Sequence, residues 1–210
     1  MTLSPRIGYG AFGEGTAESD GVAYTIGART AKIVALGVDL GGTGLGLDLA
    51  PFFALEEGTL TVPDPGQLAW QAAWDAARGL PEEQRTAAAD AARDAARQLI
   101  GWTPEGREVT YTVLGVYLGT SYKIQASRSF YPYVGGGLRA GLLFAEEIDA
   151  GAEIYWRGLV GLCAYLGEDM AVNVEFGAGS GATGIKGLQA QELSFGSTSL
   201  WDLSVGLRFP

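Results

Sequence analysis

Nine residues near the C-terminus, Trp201-Asp202-Leu203-Ser204-Val205-Gly206-Leu207-Arg208-Phe209, alternate strictly between bulky apolar side chains and small or charged ones. A period of two belongs to an extended strand, so Trp201, Leu203, Val205, Leu207 and Phe209 share one face, opposite Asp202, Ser204, Gly206 and Arg208. A face of glycine, serine and single charges suits a narrow, crowded polar interior. The run also supplies the roughly 9 to 11 residues that a tilted strand needs to cross a hydrocarbon layer. The pattern recurs upstream. Val134, Leu138, Ala140, Leu142 and Phe144 oppose Tyr133, Gly135, Gly137, Arg139 and Gly141. Ile154, Trp156, Val160, Leu162, Ala164 and Leu166 oppose Glu153, Tyr155, Arg157, Gly161, Cys163 and Tyr165, and Val172, Val174, Phe176 and Ala178 oppose Asn173, Glu175 and Gly177. Segments of about ten alternating residues separated by turns are the sequence form of a transmembrane β-barrel. A lysine or arginine facing lipid at the midplane costs about 2–4 kcal/mol, which places Arg139 and Arg157 in the lumen and the large apolar faces outside.

Glycine, 33 of 210 residues, weakens an ordinary strand, but on the inner face of a small barrel it makes room for large neighbours. No apolar run is long enough for a transmembrane helix, so a closed sheet is the spanning solution open to this chain. Eight strands are expected. Arg6 to Gly13 carries Ile7, Tyr9 and Ala11, and a polar turn from Thr16 to Gly21 leads to Val22, Tyr24, Ile26 and Ala28. A tight connection near Thr30 to Lys32 precedes a third strand from Leu36 to about Leu55. There Gly41-Gly42 marks a bulge or a bend, and the apolar parity shifts from Leu36, Val38 and Leu40 to Leu45, Leu47 and Leu49, so this strand is alternatively two. Val109 to Ile124 is the fourth, with Leu114, Val116 and Leu118 outward and Tyr111, Tyr117 and Lys123 inward, and the four strands above complete the count.

Asp64 to Ile100 breaks the pattern with Ala, Gln, Arg and Glu, the residues that enter a helix at least cost. Asp64-Pro65 with Gln67 is a helix start, and Gly79-Leu80-Pro81 is a stop followed by a second start. A helical hairpin is therefore expected over residues 64–101, between strands three and four and packed over the barrel rim. Leu68, Trp70 and Trp74 lie on its first helix, and Asp90, Arg93, Asp94 and Arg97 are spaced for i,i+3 pairs on its second. The tryptophans also suit contact with a membrane surface or a partner. The whole chain, 1–210, reads as one domain.

The net charge of −10 and the scattered basic residues argue against nucleic acid. With no histidine, the Ser-His-Asp, Cys-His and His-metal arrangements are excluded, and the single Cys163 makes no internal disulfide. Acid pairs at Glu56-Glu57, Glu146-Glu147 and Glu168-Asp169 are expected at solvated loop ends, where they offer at most weak, hard-oxygen cation sites. Gly135 to Gly137 lacks the lysine and strand-to-helix setting of a phosphate loop. No catalytic residue, cofactor or metal site is expected. The start carries no basic n-region, apolar h-region or cleavage site, so either a leader has been removed or the protein is not exported.

Tyr131-Pro132-Tyr133-Val134-Gly135-Gly136-Gly137-Leu138, the Gly167-Glu168-Asp169-Met170 turn before Val172 to Gly177, and the terminal Leu203 to Phe209 resemble the small outer-membrane β-barrels of the OmpA/OmpX type. The resemblance covers most of the chain outside the helical insertion. It implies a bacterial outer-membrane location with both termini in the periplasm and the helices outside the cell. It also implies that Trp201, Leu203, Val205, Leu207 and Phe209 are read by the barrel-assembly machinery, although Pro210 displaces the aromatic from the last position.

Eight strands leave an interior just wide enough for side chains to fill. Arg29, Asp39, Lys123, Arg139, Glu153, Arg157, Glu175, Asp202 and Arg208 are all expected to point inward, as an ion-pair network that plugs the lumen. The expected function is that of a monomeric structural barrel in the lipid bilayer whose helical loop contacts a partner. Two alternatives stay open: a small gated pore for ions or solutes, and a soluble up-and-down barrel with the faces reversed around an apolar ligand.

Overall fold

The computed structural model describes residues 1–209 apart from 20–21, 42–43, 62–63, 101, 103–105, 125–126, 128, 147 and 188–193. In chain order the elements are β1 (Thr2–Phe12), β2 (Gly15–Ser19), β3 (Val22–Ile26), β4 (Arg29–Leu40), β5 (Gly44–Thr61), α1 (Pro65–Ala76), α2 (Glu82–Ile100), β6 (Arg107–Lys123), β7 (Phe130–Ala145), β8 (Ile148–Tyr165), β9 (Ala171–Gly187) and β10 (Ser194–Arg208). Eight strands close a ring of antiparallel neighbours, β1-β4-β5-β6-β7-β8-β9-β10 and back to β1. The chain termini meet at one end, where Leu3 bridges Phe209, and the helices leave from the other end.

The two remaining strands extend the first hairpin. β2 pairs with β3, and β3 continues the line of β4 along β5, with Ile26 opposite Leu60 and Thr30 opposite Glu57. The register slips by one residue between those pairs, beside Gly27 and Ala28. This corrects the sequence expectation in two places. The connection expected at Thr30 to Lys32 is the interior of β4, and the parity shift near Gly41 is the crossing between β4 and β5, so the alternative of two strands holds in place of a bulge; Gly42 lies outside the described residues. A bulge and a turn each reverse side-chain parity, so the sequence pattern exchanged them. Likewise Thr16 to Ser19, expected as turn, belongs to β2, and Gly21 lies outside the described residues. In chain order the helices follow the fifth strand, β5, instead of a third, because the first hairpin is broken into four pieces.

The outer surface of the ring is apolar. Ile7, Val34, Leu49, Leu118, Trp156, Val160, Val174 and Leu203 are all exposed, Leu203 by 46 % and Trp156 by 71 %. The large residues therefore face out, which overturns the soluble barrel with reversed faces. Tyr122, Phe130, Tyr165 and Phe209 form an exposed aromatic ring at the terminal end, as membrane barrels carry at their interfaces. Tyr165, expected inward, lies on this rim with its ring 5.9 Å from that of Tyr131. No helix is long and apolar enough to cross a membrane.

Toward the helix end the polarity inverts along the strands. On β6, Leu114, Val116 and Leu118 face out, whereas one turn of the pattern earlier Thr110 faces out and Val109, Tyr111 and Val113 are buried. β10 inverts between buried Leu200 and exposed Trp201, with Ser197 and Ser199 outside. The strands thus leave the apolar layer and continue as a protruding collar with an apolar core of Ile26, Leu60, Val109 and Leu143. This collar explains why β9 and β10 run well past the expected bounds of 178 and 201.

In the helical pair, Asp64 caps α1 by accepting from the Gly66 amide at 2.9 Å. Trp70 and Trp74 stack at 4.9 Å, Trp70 donates to Asp90 on α2 at 3.1 Å, and the Arg85 guanidinium lies 3.9 Å from the Trp74 ring while donating to the Trp74 carbonyl at 2.7 Å. Leu68 is 68 % exposed and takes no part. Among the described residues the helices pack chiefly on each other. Arg93 pairs with Asp90 at 2.9 Å as the spacing predicts, but Arg97 turns from Asp94 to the Asp64 cap of α1.

Candidate functional site

Side-chain alternation along the strands delivers every inward charge to the lumen. Arg29, Asp39, Lys123, Arg139, Glu153, Arg157, Glu175 and Asp202 are buried, and Arg208 is largely so. They fall into three clusters stacked along the barrel axis.

The cluster nearest the collar joins four strands. Arg29 on β4 meets Glu56 on β5 at 3.1 Å, and Arg139 on β7 meets both Glu56, at 3.3 Å, and Glu153 on β8, at 2.9 Å. Arg29 also donates to Tyr155 at 3.1 Å and Thr183 at 3.0 Å, whose hydroxyls share a 2.6 Å hydrogen bond. Both guanidiniums lie over aromatic faces, Arg29 4.9 Å from Phe12 and Arg139 4.3 Å from Phe52. In the middle cluster Arg157 on β8 donates to Asp202 on β10 at 2.6 Å and to Glu175 on β9 at 2.8 Å. Glu175 further accepts from Arg6 at 3.1 Å and from Tyr133 at 3.2 Å. At the terminal end Asp39 accepts from both Lys123 and Arg208.

The glycines make this crowding possible. A Cβ at Gly177 would overlap the Arg157 guanidinium, and one at Gly37 would stand 2.9 Å from the Arg6 guanidinium. Six cations (Arg6, Arg29, Lys123, Arg139, Arg157, Arg208) face six carboxylates of the same inward parity (Asp39, half-buried Asp48, Glu56, Glu153, Glu175, Asp202). Among the described residues the inward charges therefore balance in number. Such balance is required of buried charges, whose desolvation is offset only by well-made pairs and hydrogen bonds.

Three inward charges escaped the sequence reading: Arg6, half-buried Asp48 and Glu56. Glu56, expected on a solvated loop end beside Glu57, is 0 % exposed and bridges two arginines, while Glu57 faces out and meets Lys32 at 3.7 Å. Arg6 stands at the edge of the first recognised strand. Parity would have found Arg6 and Glu56, since Glu56 follows Phe52 and Ala54 on the inner face and Arg6 opposes Ile7. Above the clusters lies the collar core of Ile26, Leu60, Val109 and Leu143, each residue at most 4 % exposed. Among the described residues no group of three or more His, Cys, Asp or Glu side chains is arranged to hold a metal ion.

Outside the apolar layer, the hydrogen bond from Arg97 holds the Asp64 carboxyl below the usual carboxylate range, helped by the Gly66 amide. The same pairing raises Arg97. The link fastens the last turns of α2 to the first turn of α1, and Arg97 is at the same time 5.1 Å from the Trp102 ring.

No protein-family model matches the chain, and no curated protein sequence does. Among solved structures, outer membrane protein OprG from Pseudomonas aeruginosa is similar over 99 % of this chain and 94 % of its own, with a TM-score of 0.54 at 12 % identity. Outer membrane protein AlkL aligns over 99 % of this chain and 88 % of its own, with a TM-score of 0.48 at 14 % identity. Neisserial surface protein A aligns over 98 % and 96 %, with a TM-score of 0.37 at 10 % identity. The likeness to OprG is one of fold: this chain is built as a small outer-membrane β-barrel, the architecture to which its residues already pointed.

Proposed function

We propose that this protein is a monomeric barrel of the bacterial outer membrane whose lumen is a sealed, ion-paired core and whose specific work is done by the α1–α2 hairpin outside the cell. The observation that carries this reading is the stack of charge clusters under an apolar collar, which occupies the axis where a pore would run. An open channel would require breaking pairs whose members are buried, and removing one partner of such a pair costs roughly 3–5 kcal/mol. The helices favour a contact role because, among the described residues, they pack chiefly on each other. The exposed face of Trp201, Leu203, Val205, Leu207 and Phe209 is the surface we assign to the barrel-assembly machinery.

The test is refolding in detergent followed by two measurements. Electrophoresis with and without boiling should give a heat-modifiable band, and reconstitution in a planar bilayer should give no stable conductance. A steady ohmic conductance in the folded protein would replace the sealed core with the gated pore. A monodisperse, folded protein in aqueous buffer without detergent would sink the membrane barrel altogether.

A further inference from the structure

At the collar, β2 leaves the wall of the barrel. β1 pairs with β10 from Arg6–Gly206 to Phe12–Leu200, and the Gly13 amide adds one bond to the Ser199 carbonyl at 2.9 Å. Beyond that point, among the described residues, β2 has only β3 as a ladder partner. Its backbone crosses the inner face of β10 instead. Thr198, Leu200 and Asp202 are buried and point into the barrel, so the side-chain direction at Gly196, two residues before Thr198, is inward as well. A Cβ at Gly196 would overlap the Thr16 carbonyl. The Thr198 hydroxyl donates to the Gly13 carbonyl at 2.7 Å, and a Cβ at Gly15 would stand 3.4 Å from the Thr198 Cβ. β2 therefore lies inside the mouth of the collar, over Thr198. The next inward residue of β10 is Leu200, which packs in a buried layer with Phe12, Ala31 and Tyr155.

Few ladder bonds hold this pair of strands. β3 is tied to β5 by two residue pairs, Thr25–Thr61 and Ile26–Leu60, and the Gly27 amide donates to the Thr59 carbonyl at 2.8 Å. By contrast β1 is paired on both sides from Arg6 to Phe12. Ile26, 2 % exposed in the collar core, anchors one foot of the pair. The other foot is Gly13-Glu14-Gly15, where the ladder to β10 stops. Sparsely paired segments open locally at low free-energy cost, whereas core strands paired on both sides open only with the whole protein. Short connections at both feet supply the few residues that must absorb the change in dihedral angles when such a segment swings.

We propose that β2 and β3 form a lid over the collar end of the lumen, which lifts as a unit about Gly13–Gly15 and Gly27 and uncovers Thr198 and Leu200 while the charge clusters beneath stay paired. The lid rests on the closed barrel and is independent of whether the core below it conducts. Its test is amide hydrogen exchange of the protein refolded in detergent, once the heat-modifiable band has established the barrel; loss of that band in the unaltered chain would overturn barrel and lid together. Amides of Gly15–Ser19 and of Val22–Thr25 should exchange together, roughly a hundred-fold faster than those of Ile7–Phe12 in β1. Gly15→Cys with Thr198→Cys, in a Cys163→Ser background, brings two Cβ atoms close to the separation of about 3.5–4.5 Å that a disulfide spans. Oxidation should slow exchange in β2 and β3 about ten-fold, and reduction should restore it. Exchange in β2 as slow as in β1, or unchanged by the disulfide, would overturn the lid. Failure of the disulfide to form in a double variant that keeps its heat-modifiable band would overturn the placement of β2 over β10. Planar-bilayer current should be absent in both the oxidised and the reduced form; a current that appears only on reduction would keep the lid and overturn the sealed core.

Discussion

Arg157 donates to carboxylates on two neighbouring strands, Glu175 on β9 and Asp202 on β10, so truncating it strips buried Asp202 of its ion pair and leaves Glu175 with Arg6 and Tyr133 alone. Arg157→Ala should lower the stability of the refolded barrel by roughly 3–5 kcal/mol in urea unfolding, and neutralising its partners with Glu175→Gln and Asp202→Asn in the same chain should recover much of the loss. On the opposite face, Leu203→Arg should destabilise by about 2–4 kcal/mol in the same assay, as a charge set against lipid does. Equal tolerance of Leu203→Arg and of an inward change such as Arg208→Ala would contradict the face assignment. The direction of these charged side chains was legible because a strand leaves only two, and Arg or Asp beside glycine opposite a row of Leu and Val permits only the inner one. Glu56 was not legible by composition, since an acid pair looks like a loop end. It is a strand interior whose two members face opposite ways.

The helical hairpin is joined at its root by Asp64 and Arg97, and this contact gives it a pH dependence. The folded-state carboxyl is held below its ordinary value, so the link contributes fully above about pH 4 and is lost as pH falls through the folded value. Helical circular dichroism should therefore decline at acid pH in the wild type, while Asp64→Asn, which keeps a capping oxygen but removes the charge, should show a weaker hairpin with a shallower decline, the remainder coming from Asp75, whose carboxyl Arg78 and Gln71 also hold down. A Cβ at Gly66 would stand 2.6 Å from the Arg93 stem, so Gly66→Leu should separate the helices at this root. The helix start at Asp64 was readable from its capping residues, and the break before Glu82 from Gly79 and Pro81. Arg97 was not, because its partner lies 33 positions away and helical spacing offered Asp94 first. The same limit governs the first hairpin, where a register slip near Gly27 and a crossing near Gly41 leave identical marks on the alternation.

The whole molecule is a set of rings with different contents: a rim of aromatics, three layers of paired charge, an apolar collar and a detached helical pair. Because the helices pack chiefly on each other among the described residues, replacing residues 65–100 with a short flexible linker should leave the heat-modifiable band in place, and its loss would show that the hairpin is needed to close the barrel. The closed ring was legible from repeated ten-residue alternation, but the collar was not, since its strands read as ordinary soluble β structure once the apolar and polar faces trade places at Val113–Leu114 and Leu200–Trp201. That trade fixes how deep the protein sits. A strand advances about 3.3 Å per residue, so sinking the barrel by even two residues would carry the exposed Lys32–Glu57 pair and the threonines of β6 toward hydrocarbon, and raising it would lift Leu, Val and Trp side chains into water. β4, β5, β6 and β10 penalise both displacements, and the barrel is thereby held at one height.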